Sequence, residues 1–299
     1  MAEFAPVPDF ARGPEIPAAG YLVTELGGGA YGITSGMVNT MFLVTRNGVV
    51  LVDAPPDLGD KVLAGIEEVT TKPVTHLIYS HAHADHIGAA ELVARDGVKI
   101  ISHELTAQFV KEARDSRRPV PTETFDGHRT ELTIDGERIA LEYAGDWHQA
   151  GNLFIHLPGQ RVLTAIDSFS VRNAPFFRLL FAAHVPAYFD AMDHLLEYDF
   201  DTVVSGHMSI FGTPEDVQTN KEYIGDLRTA AAEALRTVDF RAAVAAVPDN
   251  TQAQLKVWMD MVVAQATDLV PETWTERVGG HDIFLADNLN AVAWSVFID

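Results

Sequence analysis

Three histidines and an aspartate fall within six residues, His81-Ala82-His83-Ala84-Asp85-His86. They follow directly on Val74–Tyr79, a short apolar run bounded upstream by Lys72-Pro73 that reads as a buried strand. A chain with 12 histidines in 299 residues rarely concentrates three of them this way. One reading is a solvated polar turn with satisfied imidazoles. The other is a metal site. In extended backbone His81 and His83 point the same way, two residues apart, so both imidazoles reach one ion. Asp85 and His86 lie on the next turn and reach a second. Imidazole and carboxylate suit a borderline cation such as zinc, in a site that keeps one position open for water.

The rest of the chain supplies a frame for such a site. Strand-like stretches at Tyr21–Leu26, Asn39–Thr45 and Val49–Asp53 precede a helical spacing over Leu58–Val69. A helix over His86–Arg95, a strand at Val98–Ser102 and a helix at Glu104–Arg114 come next. A second β-rich block covers Thr130–Ile134, Arg138–Tyr143, Leu153–Leu157 and Arg161–Ala165, with turns at Asp135-Gly136 and Pro158-Gly159. A helix at Ala187–Leu196 leads to a strand at Thr202–Val204. Two β blocks interleaved with helices predict two packed sheets with helices on the outer faces. Residues 1–19 read as an irregular Pro-rich arm and 20–213 as the domain that carries the candidate site. Residues 214–299 read as a mostly helical extension packing on it, with helices at Glu215–Arg236 and Gln252–Leu269.

The HxHxDH segment resembles the signature of the metallo-β-lactamase superfamily, and the superfamily's other positions can be found in order. His148, in Gly145-Asp146-Trp147-His148-Gln149-Ala150-Gly151-Asn152, matches the histidine that follows a strand; Gln149-Ala150 stands where Thr-Pro is usual. Asp167 ends Val162-Leu163-Thr164-Ala165-Ile166 as the bridging aspartate should, and His207 follows Val203-Val204-Ser205-Gly206. Asp53, ending Val49–Val52, matches a supporting aspartate. The resemblance implies an α/β fold, a four-layer αββα sandwich, over roughly residues 20–212. It also implies two zinc ions per chain, iron and manganese being the other ions such a site accepts. His81, His83 and His148 would hold the first ion and Asp85, His86 and His207 the second, with Asp167 bridging. A hydroxide between the ions would attack a carbonyl or phosphoryl centre, Asp85 would pass a proton to the leaving group, and Asp53 would orient a ligand imidazole. A chain without cysteine cannot follow the main zinc β-lactamase subclass, which uses one. Its ligands resemble the glyoxalase-II-like and lactonase-like branches, and His83 separates it from the flavodiiron relatives.

The substrate is expected to be a small ester, lactone, thioester or amide, β-lactams included. A mononuclear iron persulfide dioxygenase and a degenerate small-molecule binder are the alternatives. Trp147, Phe176, Phe177, Phe181 and His184 are the candidate pocket residues, because Phe176–Val185 is an unusually apolar stretch that follows Asp167. Helix packing or a dimer contact are competing uses of that stretch, and a homodimer stays open. The remaining histidines, His76, His103, His128, His156, His194 and His281, match no ligand position. A net charge of -21 argues against nucleic acid and anionic membranes as partners. With no long apolar run and no leader pattern, the expected location is cytoplasmic.

Overall fold

The computed structural model describes residues 4–95, 97–208 and 211–299. The first three residues of the expected arm therefore lie outside the described residues; the others are irregular but for one short turn at Asp9–Ala11. The first sheet begins with β1 (Leu22–Gly27), β2 (Ala30–Thr34), β3 (Asn39–Val44) and β4 (Val49–Val52), each antiparallel to the last. Helix α1 (Lys61–Val69) crosses to β5 (Val74–Ile78), parallel to β4, and α2 (Ala84–Ile87) follows. β6 (Lys99–His103), α3 (Glu104–Ala113) and β7 (Glu123–Phe125) complete a seven-stranded sheet in sequential order.

The second sheet holds β8 (Arg129–Ile134), β9 (Glu137–Glu142), β10 (Phe154–Leu157), β11 (Val162–Thr164) and β12 (Thr202–Val204), stacked in reverse chain order. Between β11 and β12 lie a short turn α4 (Phe177–Phe181) and helix α5 (Val185–Leu195). Helices α6 (Pro214–Thr237), α7 (Phe240–Ala246), α8 (Thr251–Leu269) and α9 (His281–Ile298) close the chain.

Alternation along the strands builds the layers. Met41, Leu43, Val50, Val52 and Ile78 face Ile139, Leu141, Ile155, Leu157 and Val204 of the other sheet, forming the central core. Their neighbours Phe42, Val49, Leu51 and Leu77 point outward against Val62 and Ile66 of α1. On the far side, Phe154, Leu163 and Val203 bury against α5, α6, α8 and α9 through Tyr188, Leu227, Val262 and Leu289. This is the αββα arrangement expected from the sequence. The C-terminal helices are thus continuous with the outer core of the second sheet.

Four local expectations change. β2 escaped notice because Gly32 interrupts its apolar run; the glycine is needed where the Phe211 ring lies against the strand, 2.3 Å from where a Cβ would sit. β7 is only three residues long and carries no visible period. The helix expected over His86–Arg95 is instead α2, ending at Ile87, followed by a turn at Ala90–Leu92. Helix α9 is apolar on nearly every side, so it shows no helical period. The turn α4 is the most unusual backbone. Phe177 to Phe181 all have positive φ, between 28° and 58°. That left-handed winding costs about 1–2 kcal/mol per residue for side chains with a Cβ, so its surroundings must hold it in place.

Candidate metal centre

Every titratable residue singled out in the sequence for metal binding comes to one rim, where the two sheets expose their strand ends. His81 and His83 leave the end of β5, and Asp85 and His86 lie on α2. His148 sits in the loop between β9 and β10, Asp167 follows β11, and His207 follows β12. The donor atoms of His81, His83, His148 and Asp167 lie within 4.8 Å of one another, as do those of Asp85, His86, Asp167 and His207. Asp167 belongs to both groups. Its Oδ2 is 3.1 Å from His86 Nε2, 3.2 Å from His148 Nε2 and 3.8 Å from His81 Nε2, while Oδ1 is 3.2 Å from His207 Nε2. Asp85 Oδ2 stands 3.6 Å from both His86 and His207 Nε2.

These spacings fit metal ions. Two donors about 2.0–2.1 Å from one tetrahedral ion are roughly 3.4 Å apart. Buried donor atoms also lack any other partner: His81 Nε2 and Asp167 Oδ1 make no hydrogen bond, although both residues are almost fully enclosed. Orphaned buried polar atoms are rare and call for an explanation, and an ion bound between them supplies one. His83 Nδ1 and His148 Nε2 face each other at 2.8 Å, which suits two lone pairs converging on a cation.

The environment sets the proton inventory. His81 and His83 are held below the usual histidine range, His83 down to about 4, chiefly by burial and then by neighbouring imidazoles. Both are therefore neutral donors near pH 7. Burial also works against charge on His86, but Asp167, Asp85 and Asp53 outweigh it and raise its pKa to about 9. Asp167 is buried too, yet the imidazoles of His86, His148 and His207 hold it well below the usual carboxylate range. An ion entering beside His86 must displace that proton, whereas His81 and His83 carry none to displace. Affinity at the His86 position is therefore expected to weaken by about tenfold per pH unit as pH falls below 9, more steeply than at the position beside His81 and His83. Titration of the metal-free protein with zinc at several pH values, with proton release measured in parallel, would check this; equal pH slopes at both positions would contradict it.

The supporting contacts refine one expectation. Asp53 does not touch an imidazole through a hydrogen bond. Its carboxylate accepts from Ser80 N at 2.7 Å and from Ser80 Oγ at 2.6 Å. Ser80 Oγ in turn meets His81 Nδ1 at 2.9 Å, so it accepts that N–H and leaves Nε2 free to face the cluster. Ser80 is the residue the sequence reading missed, and its place directly before the first histidine was the available signal. Burial raises Asp53 to about 7, against the pull of His86 and the two Ser80 hydrogen bonds. Gln149, the departure from Thr-Pro, accepts Ala82 N at 2.8 Å and so ties the His148 loop to the His81–His83 segment. Arg118 Nη1 donates to Ala82 O at 2.8 Å and fixes the same segment from the other side.

The five proposed pocket residues separate. Phe176 packs edge-on against His207 with ring centres 5.0 Å apart, and contacts Phe181 and Phe284. Phe177 meets Phe181 and Phe284. Phe177 and Phe181 are 52% and 57% exposed, so these rings form an open aromatic shelf beside the metal rim. Trp147 is instead buried and stacks on Phe154 at 4.4 Å; it belongs to the core because the β9–β10 loop turns its indole inward. His184 caps α5, its Nδ1 accepting from Ala187 N at 3.3 Å, and among the described residues it makes no hydrogen bond or ring contact with a candidate ligand. Met37, 63% exposed, was not anticipated; its carbonyl accepts Met208 N beside His207, which brings it to the same rim. A cavity of about 340 Å³ runs from Met208 and Phe284 to the N-terminal arm at Ala5–Pro8.

Comparison with known proteins agrees with this geometry. The family model described as the metallo-beta-lactamase superfamily matches residues 33–207. The chain belongs to that superfamily. Among curated proteins it is 31% identical over 207 residues to the 2,4-dinitroanisole O-demethylase subunit alpha of Nocardioides sp., covering 68% of this chain and 60% of that protein. It is 27% identical to a metallo-beta-lactamase type 2 of Bacillus sp., covering 56% of this chain and 66% of that protein. The matches span less than two thirds of these relatives' length. Among solved structures, a metallo-beta-lactamase from Pontibacter korlensis covers 68% of this chain and 97% of its own, with a TM-score of 0.59 at 23% identity. The inverting sec-alkylsulfatase Pisa1 from Pseudomonas sp. reaches a TM-score of 0.70 at 15% identity over 91% of this chain and 49% of its own. Both are likenesses of fold. Among the described residues, no helix is long and apolar enough to cross a membrane.

Proposed function

We propose that this chain is a two-ion hydrolase of the superfamily, with zinc as the preferred metal, and that its substrate carries an aromatic or similarly flat apolar group beside the scissile bond. The observation behind the hydrolase reading is the pair of donor groups sharing Asp167, both complete. A mononuclear iron dioxygenase would leave Asp85, His86 and His207 without an ion to hold. His81, His83, His148 and Asp167 would hold one ion and Asp85, His86, Asp167 and His207 the other. Bound there, divalent ions lower the pKa of water towards 7 and polarise a substrate oxygen.

The residues do the rest. Ser80 and Leu180 fix the tautomers of His81 and His148, each through Nδ1, and keep Nε2 facing inward. Asp85, with a 55% exposed side chain, is the one acidic donor open to solvent. A carboxylate there can take a proton from attacking water and return it to the leaving oxygen or nitrogen as the bond to it breaks. Phe176 stands beside His207, and Phe177, Phe181 and Phe284 cluster with it, Phe177 and Phe181 being open to solvent. The curated relative whose name specifies demethylation of 2,4-dinitroanisole, an aryl methyl ether, supports an aromatic substrate. The relatives named as beta-lactamases support acyl transfer to water.

A panel of phenyl acetate, methyl acetate, 2,4-dinitroanisole and a β-lactam would test this reading. Turnover that requires added zinc is expected with at least one aryl compound. Phe177→Ala and Phe181→Ala are each expected to lower kcat/KM for phenyl acetate about tenfold more than for methyl acetate, the size of one lost aromatic contact. Identical losses on both esters would rule out the shelf as a recognition surface. Oxygen consumption with persulfide and no hydrolysis would favour the iron reading.

A further inference from the structure

Helix α9 lies in the C-terminal helical extension, which supplies none of the candidate ligands, yet a short chain of hydrogen bonds runs from it to a metal-facing imidazole. Asn288 is fully buried on α9. Its Oδ1 accepts the backbone N–H of Leu179 at 2.8 Å, and its Nδ2 donates to the carbonyl of Pro175 at 2.6 Å. The preceding residue, Asp287, accepts the N–H of Arg178 through Oδ2 at 2.6 Å. Both side chains therefore grip the left-handed turn α4. Leu179 and Leu180 are buried beneath it, Leu180 N closes back on Phe176 O at 2.8 Å, and Ala183 N donates to Trp147 O at 3.1 Å. One residue beyond the Asn288 contact, the carbonyl of Leu180 accepts the Nδ1–H of His148 at 2.6 Å.

The winding and the chemistry are connected. A right-handed turn over the same residues would aim the Leu180 carbonyl elsewhere. A left-handed run of Arg, Leu and Leu has no intrinsic reason to form, so it persists only where its surroundings over-determine it. The amide and carboxylate of α9 supply partners for the N–H groups of Arg178 and Leu179. We propose that Asn288, assisted by Asp287, is a positioning residue for His148: by holding α4 left-handed it aims the Leu180 carbonyl at Nδ1 and presents Nε2 to the first ion. On this view the C-terminal helices are part of the metal centre. The inference rests on the metal-site reading above.

The test is metal affinity on the full chain. Zinc and cobalt binding would be measured by chelator competition and by the visible spectrum of the cobalt form, for wild type, Asn288→Ala, Asp287→Ala and Leu289→Ala. Leu289 is a fully buried neighbour on the same helix and serves as the control for lost packing. Asn288→Ala is expected to weaken the position built on His81, His83 and His148 by about 10- to 100-fold, the usual effect of removing support behind a ligand. The position built on Asp85, His86 and His207 should be unchanged, and the cobalt spectrum should broaden. Asp287→Ala should act in the same direction with a smaller effect, and it keeps the test open if Asn288→Ala fails to fold. Wild-type affinity in Asn288→Ala, or an equal loss at the same position in Leu289→Ala, would overturn the proposal. Nitrogen-15 NMR of the wild-type imidazoles adds a check independent of any variant: His148 should carry a slowly exchanging Nδ1 proton, and a bare Nδ1 would overturn it. If wild type itself bound no ion, the metal-site reading would fall, a result distinct from any of these.

Discussion

Asp167→Asn is expected to remove both ions from the chain and to cut zinc-dependent hydrolysis by at least about 10³-fold, more than the loss of a single electrostatic contact to the reacting centre usually costs. The size follows from geometry. Asp167 alone belongs to both donor groups, with Oδ2 toward His86, His148 and His81, and Oδ1 toward His207. An amide offers one weak oxygen donor in place of two charged ones, and its NH₂ presents protons where an ion should sit. The carboxylate is 4% exposed, so no solvent substitutes for the lost charge. The fold should survive, because His86 can shed its proton once Asp167 no longer holds it. Circular dichroism unchanged from wild type, with metal content well below one ion per chain, is the expected pair of results. Two retained ions in Asp167→Asn would contradict the bridging role.

Gly206→Ala is expected to be almost as damaging, through one methyl group. A Cβ at Gly206 would lie 2.2 Å from Asp167 Oδ1, 2.8 Å from His86 Cε1 and 3.0 Å from Ile166 Cγ2. No rotation of the new methyl relieves this, so the loop before His207 or the Asp167 carboxylate must move. Displacements of an ångström in a site of fixed geometry cost on the order of 10²-fold in rate, and both ion positions share the displaced carboxylate. Metal content and kcat/KM should fall together. Gly225→Ala on α6 is the control: a Cβ there meets nothing within 4 Å, and alanine favours the helix by about 1 kcal/mol, so its melting temperature should rise with activity unchanged. Similar metal content in both variants would show that the room around Asp167 is not limiting.

Much of this site was legible in the sequence, for a definable reason. His81 and His83, Asp167 and His207 come just after strands β5, β11 and β12, which are short apolar runs with hard boundaries. The polar residue that follows each run was therefore easy to locate. What stayed hidden depends on contacts between distant segments. The role of Ser80 depends on Asp53, 27 positions upstream, accepting its N–H and hydroxyl hydrogen bonds. Trp147 looked like a pocket residue because it precedes His148, but the loop turns its ring onto Phe154. The role of Asn288 depends on a turn 109 positions earlier adopting a handedness that its own residues do not favour. β2 was masked by a glycine that makes room for Phe211, and α9 by apolar residues spread around the helix rather than along one stripe.

The decisive measurement is elemental analysis of this chain, prepared without chelator and loaded by equilibrium dialysis against equimolar zinc, iron and manganese. Two zinc ions per chain, falling below one in Asp167→Asn, is the result this reading of the site requires. A single iron per chain, or an ion content that Asp167→Asn leaves intact, would contradict it.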